Sequence, residues 1–305
     1  MPVSSQEWAT RRERGSMTML RTMTFISLRL GRPAARVVLY GIAAYFFAFA
    51  PTARRHMNDY LRRVFQRRPS PLDRYRLLLS FASTIHDRVF LLRDRNDLFD
   101  IELEGEELVE ALVSRGEGAF LMGAHMGSFE VTRTIGRRQP GLSVAMAMYE
   151  ENAHKINAML AAINPGLTAD IIPLGTMDSM LRIRSRLKQG SFVGVLGDRT
   201  FGTEASIEVD FLGAPARFPT GAMRVAALLQ RPVIFMLGLY RGGNHYHVVF
   251  EELADFSATP NGDRDAAVRD AIQRYARLLE KHCREDPYNW FNFFDFWRQP
   301  AQESR

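Results

Sequence analysis

The segment from 121 to 130, "LMGAHMGSFE", places a histidine and a glutamate five positions apart after a short apolar run. On one continuous helix, five steps would turn His125 and Glu130 about 500° apart, onto diverging faces. The two side chains can therefore meet only if His125 lies on a turn. Glycines two positions away on either side of the histidine would let the backbone bend there and a substrate approach closely. The pattern predicts a strand through Met122, a turn, and a helix from about Gly127.

A histidine held by a carboxylate can act as a general base. The carboxylate fixes the tautomer and stabilises the imidazolium that forms when the other ring nitrogen takes a proton. No protein nucleophile accompanies the pair, because "GAHMGSF" is not a Gly-x-Ser-x-Gly elbow and the only cysteine, Cys283, lies in a distant helical segment. The pattern therefore indicates that His125 deprotonates a substrate hydroxyl or amine directly. The alternative is a turn histidine satisfied by backbone groups, with no catalytic role.

Metal chemistry finds little support in the sequence. There is no His-Glu-x-x-His pattern, and one cysteine allows neither a disulfide nor a cysteine-based zinc site within the chain. His245 and His247 could share one face of a strand, but no third ligand is identifiable. We expect no metal and no other cofactor.

Charge is unevenly distributed along the chain, which is globular in composition with 46% hydrophobic and 24% charged residues. Residues 1–80 contain 15 arginines and four carboxylates, a balance of +11. Because the whole chain carries +6, the remainder carries −5. A basic N-terminal region on a mildly acidic body suggests a polyanionic partner, either nucleic acid or the anionic face of a membrane.

An apolar stretch inside the basic region separates these two partners. Residues 37–50, "VVLYGIAAYFFAFA", are uncharged and lie between arginines 32 and 36 on one side and 54 and 55 on the other. This stretch is shorter than the roughly 20 residues that span a bilayer. It favours membrane association, as a short span or an in-plane helix with arginines at the headgroups, over a buried core helix. Nucleic acid is disfavoured, because the aromatic residues form a block instead of alternating with basic side chains.

The hydrophobic pattern of the sequence changes after residue 100, where short apolar runs alternate with helical patterns. The predicted strands are "AFLMGAH", "LSVAMAMY", "ADIIPLG", "SFVGVLGD", "RPVIFMLGLY" and "YHVVFEE", and the predicted helices are "MDSMLRIRSRLKQG", "PTGAMRVAALLQRP" and residues 265–285. Such alternation predicts an α/β fold with a central, largely parallel sheet flanked by helices. We expect two regions: a basic helical membrane-associating region at 1–80, with a helix start at Ser70, and an α/β domain at 81–305.

The chain's aromatic content is concentrated near its C-terminus. Residues 290–297, "WFNFFDFW", contain six aromatic side chains in eight positions, too many for an ordinary solvated tail. Two interpretations remain open. The aromatic residues either cover a sheet edge or form the wall of a substrate tunnel.

These residues together resemble a known family. A His-x4-Asp/Glu signature on a strand-to-helix turn resembles the glycerophospholipid acyltransferase superfamily, and its glutamate form resembles the lipid A late acyltransferases, which transfer lauroyl and myristoyl chains. Further blocks occur in the family's order: "GVLGDRT", "VDFLGAPARFPTGAMRVAALLQRPVIFM" and the aromatic ending. The basic, apolar N-terminus is similar to the family's membrane anchor. The resemblance covers about residues 20–298.

The resemblance implies a glycerol-3-phosphate acyltransferase-like fold and a defined reaction. Acyl carrier protein or coenzyme A would donate an acyl chain from its thioester to a hydroxyl, or an amine, of a lipid or glycolipid acceptor. The reaction would take place at the inner membrane, with the catalytic domain on the cytoplasmic side. His125 would be the base and Glu130 its orienting partner. The implied substrate-binding residues are Asp198, Arg199, Tyr149, Thr220 and Gly221.

One departure from the family pattern leaves the acceptor open. Where the lipid A enzymes carry a Tyr-Arg-Pro-like segment, this chain reads "AMYEENAHKIN", which keeps Tyr149 but follows it with Glu150 and Glu151. A site that binds phosphates would favour cations there, so the alternative acceptors are a glycolipid, an aminolipid and a polyene-type lipid. Competing functions are a lysophospholipid acyltransferase, a thioesterase or hydrolase in which His125 activates water, and a non-catalytic membrane-binding protein.

Overall fold

The computed structural model describes residues 17–132, 141–149, 171–175, 177–200 and 204–297. Glu150 and Glu151, which mark the departure from the family pattern, lie outside these ranges.

Three helices form the N-terminal region: α1 (Met17–Phe49), α2 (Pro51–Phe65) and α3 (Pro71–Leu91). Helix α1 is interrupted at Gly31, whose φ of 77° is not helical. The predicted helix start at Ser70 is confirmed, because this residue and Asp73 form a capping box at the beginning of α3. Among the described residues no single helix is long and apolar enough to cross a membrane. One bent pair, formed by residues 31–49 and by α2 at 95° to them, meets the criteria for a membrane span by length and composition alone.

A buried ion pair attaches α1 to the rest of the protein. Arg32, whose side chain is 11% exposed, donates through Nε and a terminal nitrogen to the fully buried carboxylate of Asp87, at 2.8 and 2.9 Å. The hydroxyl of Tyr246 donates to the same carboxylate at 2.9 Å. Arg36 donates to the carbonyl oxygen of Gly243 at 2.7 Å. Arg32 and Arg36 are thus engaged within the protein and do not fit the expectation that the arginines beside the apolar stretch reach lipid headgroups.

The central sheet has seven strands in the order β1-β9-β8-β2-β5-β3-β4, and every neighbouring pair is parallel except β8 with β9. The largely parallel sheet predicted from the sequence is therefore confirmed. Two further strands, β6 and β7, form a separate antiparallel hairpin. The strands are β1 (Asp100–Glu104), β2 (Phe120–Gly123), β3 (Val144–Tyr149), β4 (Ile171–Leu174), β5 (Phe192–Leu196), β6 (Ser206–Phe211), β7 (Ala214–Pro219), β8 (Pro232–Gly242) and β9 (His245–Asp255).

Helices cover both faces of the sheet, so each strand buries alternate side chains in two cores. In β8, Phe235 and Leu237 belong to one core, and Ile234 and Met236 belong to the other. The remaining helices are α4 (Glu106–Ser114), α5 (Met177–Lys188), α6 (Gly221–Leu228) and α7 (Arg264–Glu285). The last three agree with the helices predicted from the sequence.

The N-terminal helices share a core with the sheet. Tyr60 of α2 and Leu77 of α3 are fully buried in the same hydrophobic cluster as Phe120 of β2. Helix α3 also runs through residue 80 without a break. The boundary expected between residues 80 and 81 thus falls inside a helix.

Candidate active site

Two neighbouring strands bring His125 and Asp198 together. Strands β2 and β5 are parallel partners, with Gly123 opposite Leu196 at their carboxyl ends. His125 and Asp198 each follow two residues later, so they emerge at the same edge of the sheet, where the reactive groups of α/β proteins gather. Their side chains meet although 73 positions separate them in the sequence.

The Asp198 carboxylate is saturated with donors. One oxygen, Oδ1, lies 2.8 Å from Nδ1 of His125. The other, Oδ2, accepts from the backbone N–H of His125 at 3.1 Å and from the indole N–H of Trp290 at 3.0 Å. The Asp198 side chain is fully buried, whereas that of His125 is 32% exposed. The carboxylate is therefore fixed inside the protein while part of the imidazole remains accessible.

Electrostatics set the protonation states of this pair. Burial by itself would raise the pKa of Asp198, but the neighbouring His125, Arg199 and the indole of Trp290 together hold that pKa well below its usual value. Burial lowers the pKa of His125, and Arg199 lowers it further, against the opposing effect of Asp198. An ionised Asp198 accepts the Nδ1 proton of a neutral imidazole, which leaves Nε2 ready to take a proton. None of the described residues hydrogen-bonds to Nε2.

Glu130 has a different partner from the one expected. It lies in the helical segment 129–132, which follows the turn. Its Oε1 is 2.7 Å from Nε of Arg88 on α3, and Oε2 accepts from the hydroxyl of Ser128 at 3.4 Å. The structure thus brings Asp198 to Nδ1 of His125, while Glu130, expected there from the sequence, pairs with an arginine.

The C-terminal segment holds the histidine turn in place. The backbone N–H of Gly127 donates to the carbonyl of Asn289 at 2.9 Å, and that of Phe291 donates to the carbonyl of His125 at 2.9 Å. The Asn289 side chain in turn accepts from and donates to the backbone of Tyr240 on β8, at 2.8 and 3.0 Å. The aromatic ending therefore contributes directly to the site through Trp290, whose contact with Asp198 was not predicted from the sequence. The high density of aromatic residues at 290–297 was the only signal in the sequence, and no spacing rule links Trp290 to His125.

Gly127 is required by a close approach of two backbones. Its φ is +71°, and a Cβ there would lie 2.0 Å from the carbonyl oxygen of Gly238. The next residue, Ser128, donates its backbone N–H to that oxygen at 2.7 Å. The prediction that glycine lets the backbone bend beside the histidine is confirmed at this position.

A cavity of about 1060 Å³ opens beside the imidazole. Its volume slightly exceeds the roughly 300–1,000 Å³ typical of small-molecule sites. His125, Glu130, Arg88 and Arg199 contribute polar groups to its wall. Most of the lining is apolar and includes Phe81, Met146, Met148, Met180, Ile183, Met223, Phe291, Phe293 and Phe294. Three aromatics of the C-terminal run thus line the cavity, in agreement with the tunnel-wall interpretation.

Arg199 lies between the His125–Asp198 pair and the C-terminal residues 291–294. A terminal nitrogen donates to the carbonyl of Phe291 at 3.0 Å, and the guanidinium carbon lies 5.0 Å from the centre of the Phe294 ring. Burial lowers the pKa of Arg199, and Asp198 opposes this effect. Its buried Nε makes no hydrogen bond with the described residues.

The other predicted binding residues divide into two groups. Tyr149 and Gly221 line the cavity. Burial, together with the charge of Glu204 and a hydrogen bond to it, raises the pKa of Tyr149 to about 12. Thr220 is buried, and both its backbone N–H and its hydroxyl donate to the carbonyl of Ala205, at 2.9 and 3.1 Å. Its hydrogen bonds therefore hold the chain before α6.

The histidines considered as metal ligands have carboxylate partners on the adjacent strand. His245 lies 2.9 Å from Asp100, and His247 lies 3.0 Å from Glu104. Within the described ranges, no group of three or more His, Cys, Asp or Glu side chains is arranged to hold a metal ion. Cys283 is fully buried, and burial raises the pKa of its thiol.

At one edge of the α/β sheet, a histidine backed by a buried aspartate faces a large, mostly apolar cavity. The sequence profile of the bacterial lipid A biosynthesis acyltransferase family matches residues 12–299, and the chain belongs to that family. The protein is therefore an acyltransferase, and its family indicates acyl transfer to a lipid acceptor. No curated protein matches the chain at a significant level.

Proposed function

We propose that the protein transfers a fatty acyl chain from the thioester of acyl carrier protein or coenzyme A to a hydroxyl of a lipid or glycolipid. In this proposal His125 is the general base and Asp198, instead of Glu130, is the carboxylate that orients it. The observation that carries the proposal is the 2.8 Å contact between His125 Nδ1 and the buried Asp198, beside a cavity of about 1060 Å³.

The reaction requires one proton acceptor and no protein nucleophile. Nε2 of His125 takes the proton of the acceptor hydroxyl as its oxygen attacks the thioester carbonyl carbon. Asp198 stabilises the imidazolium that results. When the tetrahedral intermediate collapses, the carbon–sulfur bond breaks and the departing thiolate takes the proton from Nε2. The products are an ester and a free thiol.

Arg199 is the candidate for stabilising the negative charge that develops on the thioester oxygen. It lines the cavity, and its Nε is buried without a hydrogen-bond partner among the described residues. A fixed cation in a site that excludes water stabilises developing charge far more than one in bulk water. Phe291 and Phe294 hold the guanidinium in this position.

The apolar part of the cavity suits the acyl chain. Methionines on β3, α5 and α6 line it, and methionine adapts readily to a flexible hydrocarbon. Tyr149, with Glu204, and Gly221 would contact the substrate at this wall. The ion pair of Glu130 with Arg88 belongs to the polar part of the lining, where it would contact the acceptor or hold the wall around it.

Helix α1 supports a location at the membrane. Large apolar side chains on it are exposed: Phe25, Val37, Tyr40, Tyr45 and Phe49. A helix with such a face lies in the interface of a bilayer, with that face buried in the acyl region. We propose that this face attaches the protein to the cytoplasmic side of the inner membrane, where lipid acceptor and soluble donor meet.

The test is acyl transfer from radiolabelled acyl carrier protein, and in parallel from acyl coenzyme A, to a total lipid extract. Wild type and His125→Ala are compared by chromatography of the products. We expect a labelled lipid with wild type alone, and its mobility separates a phospholipid product from a glycolipid. Label released only as free fatty acid, in a His125-dependent manner, would establish a hydrolase instead. A His125→Ala variant with normal transfer would exclude the proposed base.

A further inference from the structure

A cluster of arginines lies at the junction of α2 and α3, outside the catalytic site. Arg54 and Arg55 of α2, Arg68 of the connecting loop and Arg74 of α3 line a depression of about 310 Å³, together with Phe47, Pro51 and Asn58. Among the residues that the structure describes, no carboxylate belongs to its lining. Four guanidinium groups around one concave surface repel each other unless an anion lies among them.

Nearby carboxylates are already paired with other arginines. Asp59 is within 3.6 Å of Arg62 and 3.4 Å of Arg63, and Asp73 accepts from Arg67 at 2.9 Å. Arg54, Arg55 and Arg68 have no carboxylate within salt-bridge distance among the residues that the structure describes. Their charges are thus left available to a ligand.

Arg74 provides independent support for a ligand at this position. Its terminal nitrogen donates to the side-chain oxygen of Asn58 at 3.2 Å. Its Nε is buried and has no hydrogen-bond partner within the described part of the chain. A buried, unpaired N–H of a cation is costly, and an anionic oxygen would satisfy it.

The position of this arginine pocket points to a lipid. Pro51 lines both the arginine pocket and the active-site cavity, so the two share a wall. The exposed apolar face of α1 ends at Phe49, two residues before Pro51. The exposed apolar side chains of α1 are followed directly by a basic pocket. This order matches that of acyl chain and phosphate in a membrane lipid.

We propose that Arg54, Arg55, Arg68 and Arg74 bind the phosphate of a membrane lipid headgroup. This inference rests on the proposed function, in which the protein works on lipids at a membrane surface. Arginine suits the role because its planar fork binds phosphate oxygens in pairs. The bound phosphate holds the mouth of the active-site cavity at the level of the headgroups.

The experiment measures sedimentation of the full-length protein with phosphatidylcholine vesicles, with or without one fifth phosphatidic acid. The test variant is Arg54→Gln/Arg68→Gln. The control is Arg274→Gln/Arg277→Gln, which removes the same charge from exposed positions on α7. A third variant, Arg54→Lys/Arg68→Lys, keeps the positive charge but loses the planar guanidinium group that can donate two parallel hydrogen bonds. Far-ultraviolet circular dichroism checks that each variant is folded.

Phosphatidic acid should increase wild-type binding, and the test variant should lose about 30-fold of that affinity, because each of its two arginines contributes about 1 kcal/mol near an anionic surface. We expect the control to lose less than about 3-fold and the lysine variant to fall between them. Equal losses in test and control variants would overturn the proposal, because net charge alone would then explain binding. Inorganic phosphate is the second probe. If the test variant binds free phosphate more weakly but binds vesicles as wild type does, the ligand is free phosphate and not a lipid headgroup.

His125→Ala separates this inference from the proposed function. That variant should bind phosphatidic acid vesicles as wild type does and lose acyl transfer. If it retains transfer while the arginine variant loses vesicle binding, the proposed base is wrong and the phosphate site stands. If His125→Ala loses transfer while the arginine variant keeps vesicle binding, the phosphate site is excluded and the catalytic proposal stands.

Discussion

Two carboxylates lie in the region of His125, and the protein treats them differently. Asp198 is fully buried and receives three donors: the imidazole, a backbone N–H and an indole N–H. Glu130 is 12% exposed, and its charge is matched by Arg88 at 2.7 Å. One Asp198 oxygen lies against the imidazole, where its charge favours the imidazolium, whereas Glu130 lies against the guanidinium of Arg88. The carboxylate beside the imidazole lies 73 positions away in the sequence, whereas the one five positions away lies beside an arginine.

The largest effect is expected from Asp198→Asn, which keeps the shape of the side chain. An asparagine amide that donates to Nδ1 would leave the proton on Nε2, the nitrogen that must accept one. We expect kcat to fall by about 10³- to 10⁴-fold, as for the equivalent change in a serine protease triad. Acyl-transfer kinetics on the purified variant would measure this. A loss below tenfold would contradict the proposed role of Asp198 as the orienting carboxylate, because Asp198 would then have only a structural role.

Glu130→Gln should have a smaller effect, about tenfold in kcat/KM, or roughly 1.4 kcal/mol. The change removes the carboxylate charge that lies 2.7 Å from Arg88 in the cavity wall, but it does not touch Nδ1 of His125. Because Glu130 acts through its pair, adding Arg88→Gln should cost little more than either single change. A double-mutant cycle measures this coupling. A drop as large as that of Asp198→Asn would restore Glu130 as the orienting carboxylate.

Trp290→Phe tests the donor that fixes Asp198 from the C-terminal side. The ring is retained, but the N–H that lies 3.0 Å from Oδ2 is lost. A hydrogen bond to a buried charge contributes about 1.5–3 kcal/mol to stability, so the free energy of unfolding should fall by about 2 kcal/mol. The effect on kcat should be a few-fold, because His125 still binds Oδ1. Denaturant unfolding and steady-state kinetics would separate the two effects. Unchanged stability with a large loss of kcat would give the indole a direct role in the reaction.

Much of the fold was predictable because buried parallel strands appear in the sequence as short apolar runs. The strands missed from the sequence have other patterns. Strand β1, "DIELE", alternates acidic with apolar residues because it lies at the sheet edge and exposes every second side chain. The β6–β7 hairpin turns at Leu212 and Gly213, both with positive φ, and leucine is not a residue that signals such a turn.

The position of His125 in a turn at a sheet edge was predictable from the sequence, and its carboxylate neighbour was not. His125 stands out because a glycine-flanked turn after a buried strand is visible locally. The family resemblance implied Asp198 as a substrate-binding residue, but its pairing with His125 depends on β5 lying next to β2, with β3 and β4 placed beyond it. Strand order is a property of the whole sheet, and local spacing carries no information about it. Trp290 was missed for the same reason, since it reaches Asp198 across 92 positions.

The smallest effect, and the finest test of the comparison, is the pH dependence of kcat/KM. His125 must be neutral to act as a base, so activity should rise with pH through its pKa and level off above it. Burial and Arg199 lower that pKa, so the midpoint should lie below 6.5. Asp198 opposes this lowering, so the residual activity of Asp198→Asn should have its midpoint shifted further toward acid. Glu130→Gln should leave the midpoint in place, because Glu130 is not among the groups that shift the pKa of His125. Profiles of the two variants on the same substrate measure the difference. A shift in Glu130→Gln with none in Asp198→Asn would reverse the roles assigned to the two carboxylates.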